Sequence, residues 1–111
     1  MYRVAYSKLI DADFDSSYEY IKERLEAPRA AEKLFDEIIN KLDYICKTPF
    51  TRPLVQDSHL ASLGIRSIKI KNYVLYFSVD EETNTINALR FLYNKRNWIE
   101  ILKENDLEEI M

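Results

Sequence analysis

Residues 63–98 read LGIRSIKIKNYVLYFSVDEETNTINALRFLYNKRNW, and this stretch decides the fold. Ile65–Ile70, Tyr73–Val79 and Thr85–Tyr93 are rich in Ile, Val, Tyr and Phe, with turn residues Lys71-Asn72 and Asp80-Glu81-Glu82-Thr83-Asn84 between them. That pattern predicts three consecutive strands in a meander. Its charge is one-sided. Between Ser58 and Val79 stand Arg66, Lys69 and Lys71 with no acid, and between Thr83 and Ile99 stand Arg90, Lys95 and Arg96, again with no acid. A basic sheet is expected inside an acidic chain.

Working outward, 111 residues fit one domain over 1–111, with 47% hydrophobic and 32% charged residues, as in an ordinary globular protein. A net charge of −3 argues against coating nucleic acid by bulk electrostatics, though a local basic face still acts through its own field. Cys46 stands alone, which excludes an internal disulfide and suits a reducing compartment. Residues 1–10 carry no long apolar core of a signal peptide, and no apolar run reaches the roughly 18 residues of a membrane span. The expectation is a cytoplasmic protein without a membrane partner.

Tyr2–Lys8 alternates apolar and polar positions as a short strand does. Asp11, Asp13 and Asp15 then read as acids at a helix N-terminus, followed by a helical face of Phe14, Tyr18, Ile21 and Leu25. Pro28 opens a second helix, whose stripe is Ala31, Leu34, Ile38, Leu42 and Ile45, widened by Phe35 and Ile39. Thr48-Pro49 closes it. The short joint between them predicts an antiparallel hairpin. Residues 50–63 lack a period and read as loop, and Gly64 supplies a left-handed or tight position before the meander. Residues 94–104, with Trp98, Ile101 and Leu102, predict a last helix, Trp98 anchoring it, ahead of an acidic tail. The fold class is α+β: an order β-α-α-β-β-β-α, with the helical hairpin on one face of a mostly antiparallel sheet.

Alternation assigns faces. Tyr73, Leu75, Phe77 and Val79 face the helices with Ile68, Ile70, Leu89, Phe91 and Tyr93. Lys69, Lys71, Tyr76, Arg90, Ala88 and Leu92 are expected outside. Cations interleaved with an aromatic suit phosphates and stacked bases, and they equally suit a sheet face that must stay soluble and unpaired. Arg66 shares parity with Ile68 and Ile70, so a salt bridge to a helix acid and a target contact both stay open.

Other chemistry-bearing residues have plainer readings. His59 is the lone histidine and sits in the expected loop; with one His and one Cys, no transition-metal set assembles, and no metal or cofactor is expected. Asp80-Glu81-Glu82 reads as a solvated turn and Cys46 as a small buried hydrophobe. The alternating Asp11, Asp13 and Asp15 lack the glycine and distal glutamate of a calcium loop.

The ordered set of elements resembles the RelE/ParE superfamily, toxins of type II toxin–antitoxin modules. The likeness spans nearly the whole chain: Tyr2-Arg3-Val4, the hairpin ending at Thr48-Pro49, Gly64-Ile65-Arg66, residues 72–79 (NYVLYFSV), Leu89-Arg90-Phe91-Leu92-Tyr93, and Asn94-Lys95-Arg96-Asn97-Trp98. The resemblance implies a toxin neutralised by a cognate antitoxin in a hetero-oligomer. It also implies one of two activities. RelE-like members cut mRNA on the ribosome, whereas ParE-like members bind and poison DNA gyrase without being nucleases. Against the RelE-like site, Lys69 matches one lysine while Ser67 replaces the other, and Val74 replaces a strand arginine. Arg96 or Lys95 matches the late arginine; no tyrosine lies around Ile101-Leu102, leaving Tyr93 nearby. The His-and-Tyr pair of another nuclease branch is missing from the ending Glu109-Ile110-Met111. Cutting RNA through its 2′-hydroxyl needs a proton acceptor, charge stabilisers and an acid for the leaving oxygen, and these losses remove an acid and a stabiliser together. The resemblance therefore points to a ParE-like inhibitor with Arg66, Lys69, Lys71, Arg90, Lys95 and Arg96 as its target-binding surface. The alternative is a ribosome-dependent endoribonuclease with a degenerate site of Lys69, Arg90, Tyr93 and Arg96; a third reading is an inert partner of an antitoxin.

Overall fold

The computed structural model describes residues 1–94 and 101–103. Strand β1 (Arg3–Tyr6) passes without a loop into helix α1 (Lys8–Glu19), because Ser7 caps it: its hydroxyl oxygen accepts from the Ile10 N–H at 3.0 Å. The helix therefore starts before the aspartates, and Asp11, Asp13 and Asp15 lie within it rather than capping it. Residues Tyr20–Arg24 continue as a π-helical turn, in which the Leu25 N–H reaches the Tyr20 carbonyl at 3.1 Å. Glu26, at φ 49°, turns the chain, and Pro28 opens α2 (Pro28–Lys47) as expected. Ala31, Leu34, Ile38, Leu42, Ile45 and Cys46 form its buried stripe; Ile39 does not widen it, being 62% exposed.

The segment read as loop contains a third helix, α3 (Ser58–Ser62), capped by Asp57, whose carboxylate accepts from the Leu60 N–H at 3.0 Å. That bond, with Lys103 beside it, holds the Asp57 carboxyl below its ordinary range. Gly64 ends this helix at φ 79°, where its N–H meets the Ala61 carbonyl at 2.9 Å. His59 lies exposed on α3 rather than in a loop.

The meander is β2 (Arg66–Ile70), β3 (Tyr73–Asp80) and β4 (Thr85–Tyr93). The sheet order is β1-β4-β3-β2, with β1 parallel to β4 and the other pairs antiparallel. Lys71 carries the hairpin turn at φ 57°. Between β3 and β4 the register steps from Tyr76↔Arg90 to Phe77↔Ala88, so Leu89 is an extra residue, a β-bulge. The bulge reverses the expected faces of β4 up to Leu89 and leaves Phe91, Leu92 and Tyr93 as expected. Ala88 and Ile86 join the core beneath the helices with Phe14, Ile38, Leu75 and Phe77, while Leu89 moves to the other side.

That other side is not open. Val55, Leu60, Ile65, Tyr76, Leu89, Leu92 and Leu102 form a second buried cluster, roofed by α3 and by residues 101–103, which are helical. Tyr76, expected outside, is 3% exposed, and burial pushes its phenol pKa far up. The layout is a sheet with a helical hairpin on one face and a smaller apolar layer on the other. Nothing else of the last helix or the acidic tail, Trp98 included, falls within the described residues.

Candidate functional site

The expected basic face is dispersed. β1 stops pairing with β4 at Tyr6↔Ala88, and α1 takes over that edge: the Ser7 hydroxyl donates to the Leu89 carbonyl at 2.7 Å, and the Phe91 N–H donates to Asp13 Oδ2 at 2.9 Å. The same carboxylate grips Arg90, accepting from Nε at 2.7 Å and from Nη2 at 2.9 Å. Arg90 is 8% exposed, so its charge is neutralised inside the fold instead of being presented outward. The bulge places Arg90 beside this edge, and no local pattern in the sequence pairs it with Asp13.

Lys69 is exposed on β2, in register with Val74 and through it with Leu92, on the side of the second cluster. Tyr93, also exposed, pairs with Tyr73 and through it with Ile70, on the helix side. Directly opposed residues share a face, so Lys69 and Tyr93 project from opposite faces of the sheet. Lys71 sits at the turn, exposed. Arg66 meets no helix acid among the described residues: its Nη1 donates to the Arg52 carbonyl at 2.5 Å, and its guanidinium lies 5.2 Å from the centre of the Phe50 ring. Lys95 and Arg96 lie outside the described residues.

One concavity was not legible as a site in the sequence. A cavity of about 710 Å³ opens between the π-helical turn, the start of α2 and the end of β4. Tyr20, Ile21, Leu25, Leu34, Tyr73, Phe91 and Tyr93 give it an apolar, aromatic wall, and Lys33 and Lys71 stand in its lining. Asp13 lines it too, with its charge spent on Arg90. Tyr73 stacks on Phe91 at 4.7 Å and meets Tyr93 edge-on at 5.6 Å. Burial, then the nearby phenols of Tyr20 and Tyr93, push the Tyr73 pKa up. Tyr20, Leu25 and Tyr93 remain exposed around the opening, an apolar rim of the kind partners cover. The periodicity of Phe14, Tyr18, Ile21 and Leu25 was the available signal; a π turn that rotates the last of them toward a groove has no counterpart in residue type.

Among the described residues no group of three or more His, Cys, Asp or Glu is placed to hold a metal ion, and no helix is long and apolar enough to cross a membrane. Cys46 is buried, and Asp80 accepts from the N–H groups of Glu82 and Thr83 in an exposed turn.

No curated protein matches the chain in sequence. Among solved structures, a chain of the "Chromosomal ParDE TA system from P. aeruginosa" superposes with a TM-score of 0.64 at 18% identity, over 84% of this chain and 95% of that one. The two share the α+β fold. The family described as "ParE toxin of type II toxin-antitoxin system, parDE" matches residues 4–98, and over that span the chain belongs to the ParE toxin family.

Proposed function

We propose that this ParE-family toxin acts by binding a protein, DNA gyrase, rather than by cutting RNA, and that an antitoxin silences it by filling the groove beside the π-helical turn. The observation that carries the reading is the opposition of Lys69 and Tyr93. General acid–base cleavage needs its proton-transfer and phosphate-holding groups around one scissile bond, within hydrogen-bond reach of it. Two groups on opposite faces of a sheet do not meet that need, and Arg90 is already committed to Asp13. The ParE membership supports gyrase as the target.

The groove supports the antitoxin half of the reading. Its aromatic floor and exposed Tyr20, Leu25 and Tyr93 suit the apolar face of an amphipathic helix, and Lys33 and Lys71 suit acids along that helix. The cytoplasm follows as the compartment where gyrase works.

The test is supercoiling by purified gyrase, run with the purified toxin alone and with its antitoxin, beside translation-dependent cleavage of a reporter message. Loss of supercoiling, restored by antitoxin, with the message whole, is expected. A message cut on the ribosome with supercoiling untouched would overturn the proposal in favour of the endoribonuclease.

A further inference from the structure

After α2 the chain turns back along the outer edge of β2. Leu54 bridges Arg66, and the Val55 N–H donates to the Ile65 carbonyl at 3.0 Å. Two arginines fasten this return. Arg52 Nε donates to the Ser67 carbonyl at 3.2 Å, and Arg66 donates to the Arg52 carbonyl. Each bond uses one N–H of a guanidinium that has five, and a backbone carbonyl cancels no charge. Among the described residues no carboxylate forms an ion pair with either arginine. Phe50 and Leu54 flank Arg66 and are 47% and 43% exposed. An uncancelled pair of arginines therefore lies among bare apolar side chains.

This surface is separate from the groove. The groove takes Ala30, Lys33 and Leu34 from the start of α2 and Lys71 beyond the end of β2, whereas Phe50 follows the end of α2 and Arg66 opens β2. The helix from Leu34 to Lys47 spans about 20 Å, and the strand from Arg66 to Lys71 about 16 Å.

We infer that Phe50, Arg52, Leu54 and Arg66 form the surface by which the toxin grips its target, and that it fits an acidic protein segment carrying an apolar side chain. The inference rests on the proposed target-binding activity and goes beyond it by naming the contact. Arginine and aromatic side chains are what the buried centre of a protein interface uses, and carboxylates from the partner supply the charge this chain lacks there. Nucleic acid fits less well: a strand needs cations along its length, whereas this patch is short, holds an exposed leucine and belongs to a chain of net charge −3.

The experiment compares the wild-type chain with Phe50→Ala/Leu54→Ser and with Arg52→Glu, all at full length. Growth after induction without antitoxin, melting temperature, antitoxin affinity and retention of a short single-stranded oligonucleotide are measured. Both variants are expected to keep wild-type antitoxin affinity, the apolar one with wild-type melting and Arg52→Glu melting a few degrees lower for its lost bond to Ser67, while the dose needed for growth arrest rises roughly tenfold or more. Full toxicity in both folded variants overturns the inference. So does a parallel loss of antitoxin binding, which makes the patch the antitoxin's. Oligonucleotide retention abolished by Arg52→Glu assigns the patch to nucleic acid instead. The target is tested separately: a wild type that arrests growth but spares gyrase removes gyrase and leaves the patch to be decided by the variants. A wild type without effect on growth overturns both.

Discussion

Asp13 ties helix α1 to strand β4 through three hydrogen bonds. It replaces a missing strand at the edge of β4 by accepting the Phe91 N–H, and it holds the buried Arg90 through both carboxylate oxygens. Removing one partner of such a pair strands the other charge in a low-dielectric site. Asp13→Ala is therefore expected to destabilise the protein by about 3–5 kcal/mol in urea unfolding. A loss below about 1 kcal/mol would mean that Arg90 finds solvent. Asp13 also explains a limit on reading the chain. As one of three alternating aspartates before an apolar face it looked like a helix cap, and Arg90 looked like an outward cation on a strand. Their pairing joins residues 77 apart and depends on how β1 stops, which no local pattern encodes. Ser7, which does cap α1, falls in the stretch that alternation reads as strand.

At the scale of elements, what could be read was what repeats. The meander, the turn at Lys71-Asn72, the stripe of α2 and Pro28 at its start all follow from periods of two and of 3.6 residues or from fixed backbone preferences. What could not be read breaks a period or is too short to show one. The extra Leu89 shifts every residue before it on β4 to the other face, and α3 spans five residues, barely more than a turn. The consequence is a second apolar layer where an exposed basic face was expected. Leu60, fully buried in that layer, tests its weight: Leu60→Ala is expected to cost about 2–5 kcal/mol, whereas a loosely laid roof would lose under about 1 kcal/mol. Titration gives a second test of the same packing. The phenol pKa values of Tyr6, Tyr73 and Tyr76 are raised above 10.0, with burial as the leading cause in each. A raised folded pKa contributes stability that is complete below the unfolded value and is lost as pH climbs through the folded one. The stability these three phenols contribute should therefore hold up to about pH 10 and fall beyond it, and Tyr76→Phe should flatten that fall. Unchanged alkaline denaturation in Tyr76→Phe would place the effect elsewhere.

At the scale of the molecule, the fold sets two unlike surfaces, one beside the start of α2 and one beyond its end. One is a concave aromatic groove rimmed by Tyr20, Leu25 and Tyr93; the other is a patch of Phe50, Leu54 and two arginines on the edge of β2. Separate surfaces allow separate partners, so changes in the groove should damage neutralisation alone. Leu25→Asp, at an exposed rim position, is expected to weaken antitoxin binding by roughly tenfold or more while growth arrest persists. Loss of toxicity in this variant, with folding intact, would show that the groove serves the target instead.

The most direct test of the central claim is to induce the protein without its antitoxin and follow plasmid topology, gyrase-linked DNA breaks and message integrity in one culture. The account predicts relaxed plasmid or gyrase-linked breaks while translated messages stay whole. Prompt cleavage of translated messages, with supercoiling undisturbed, would contradict it.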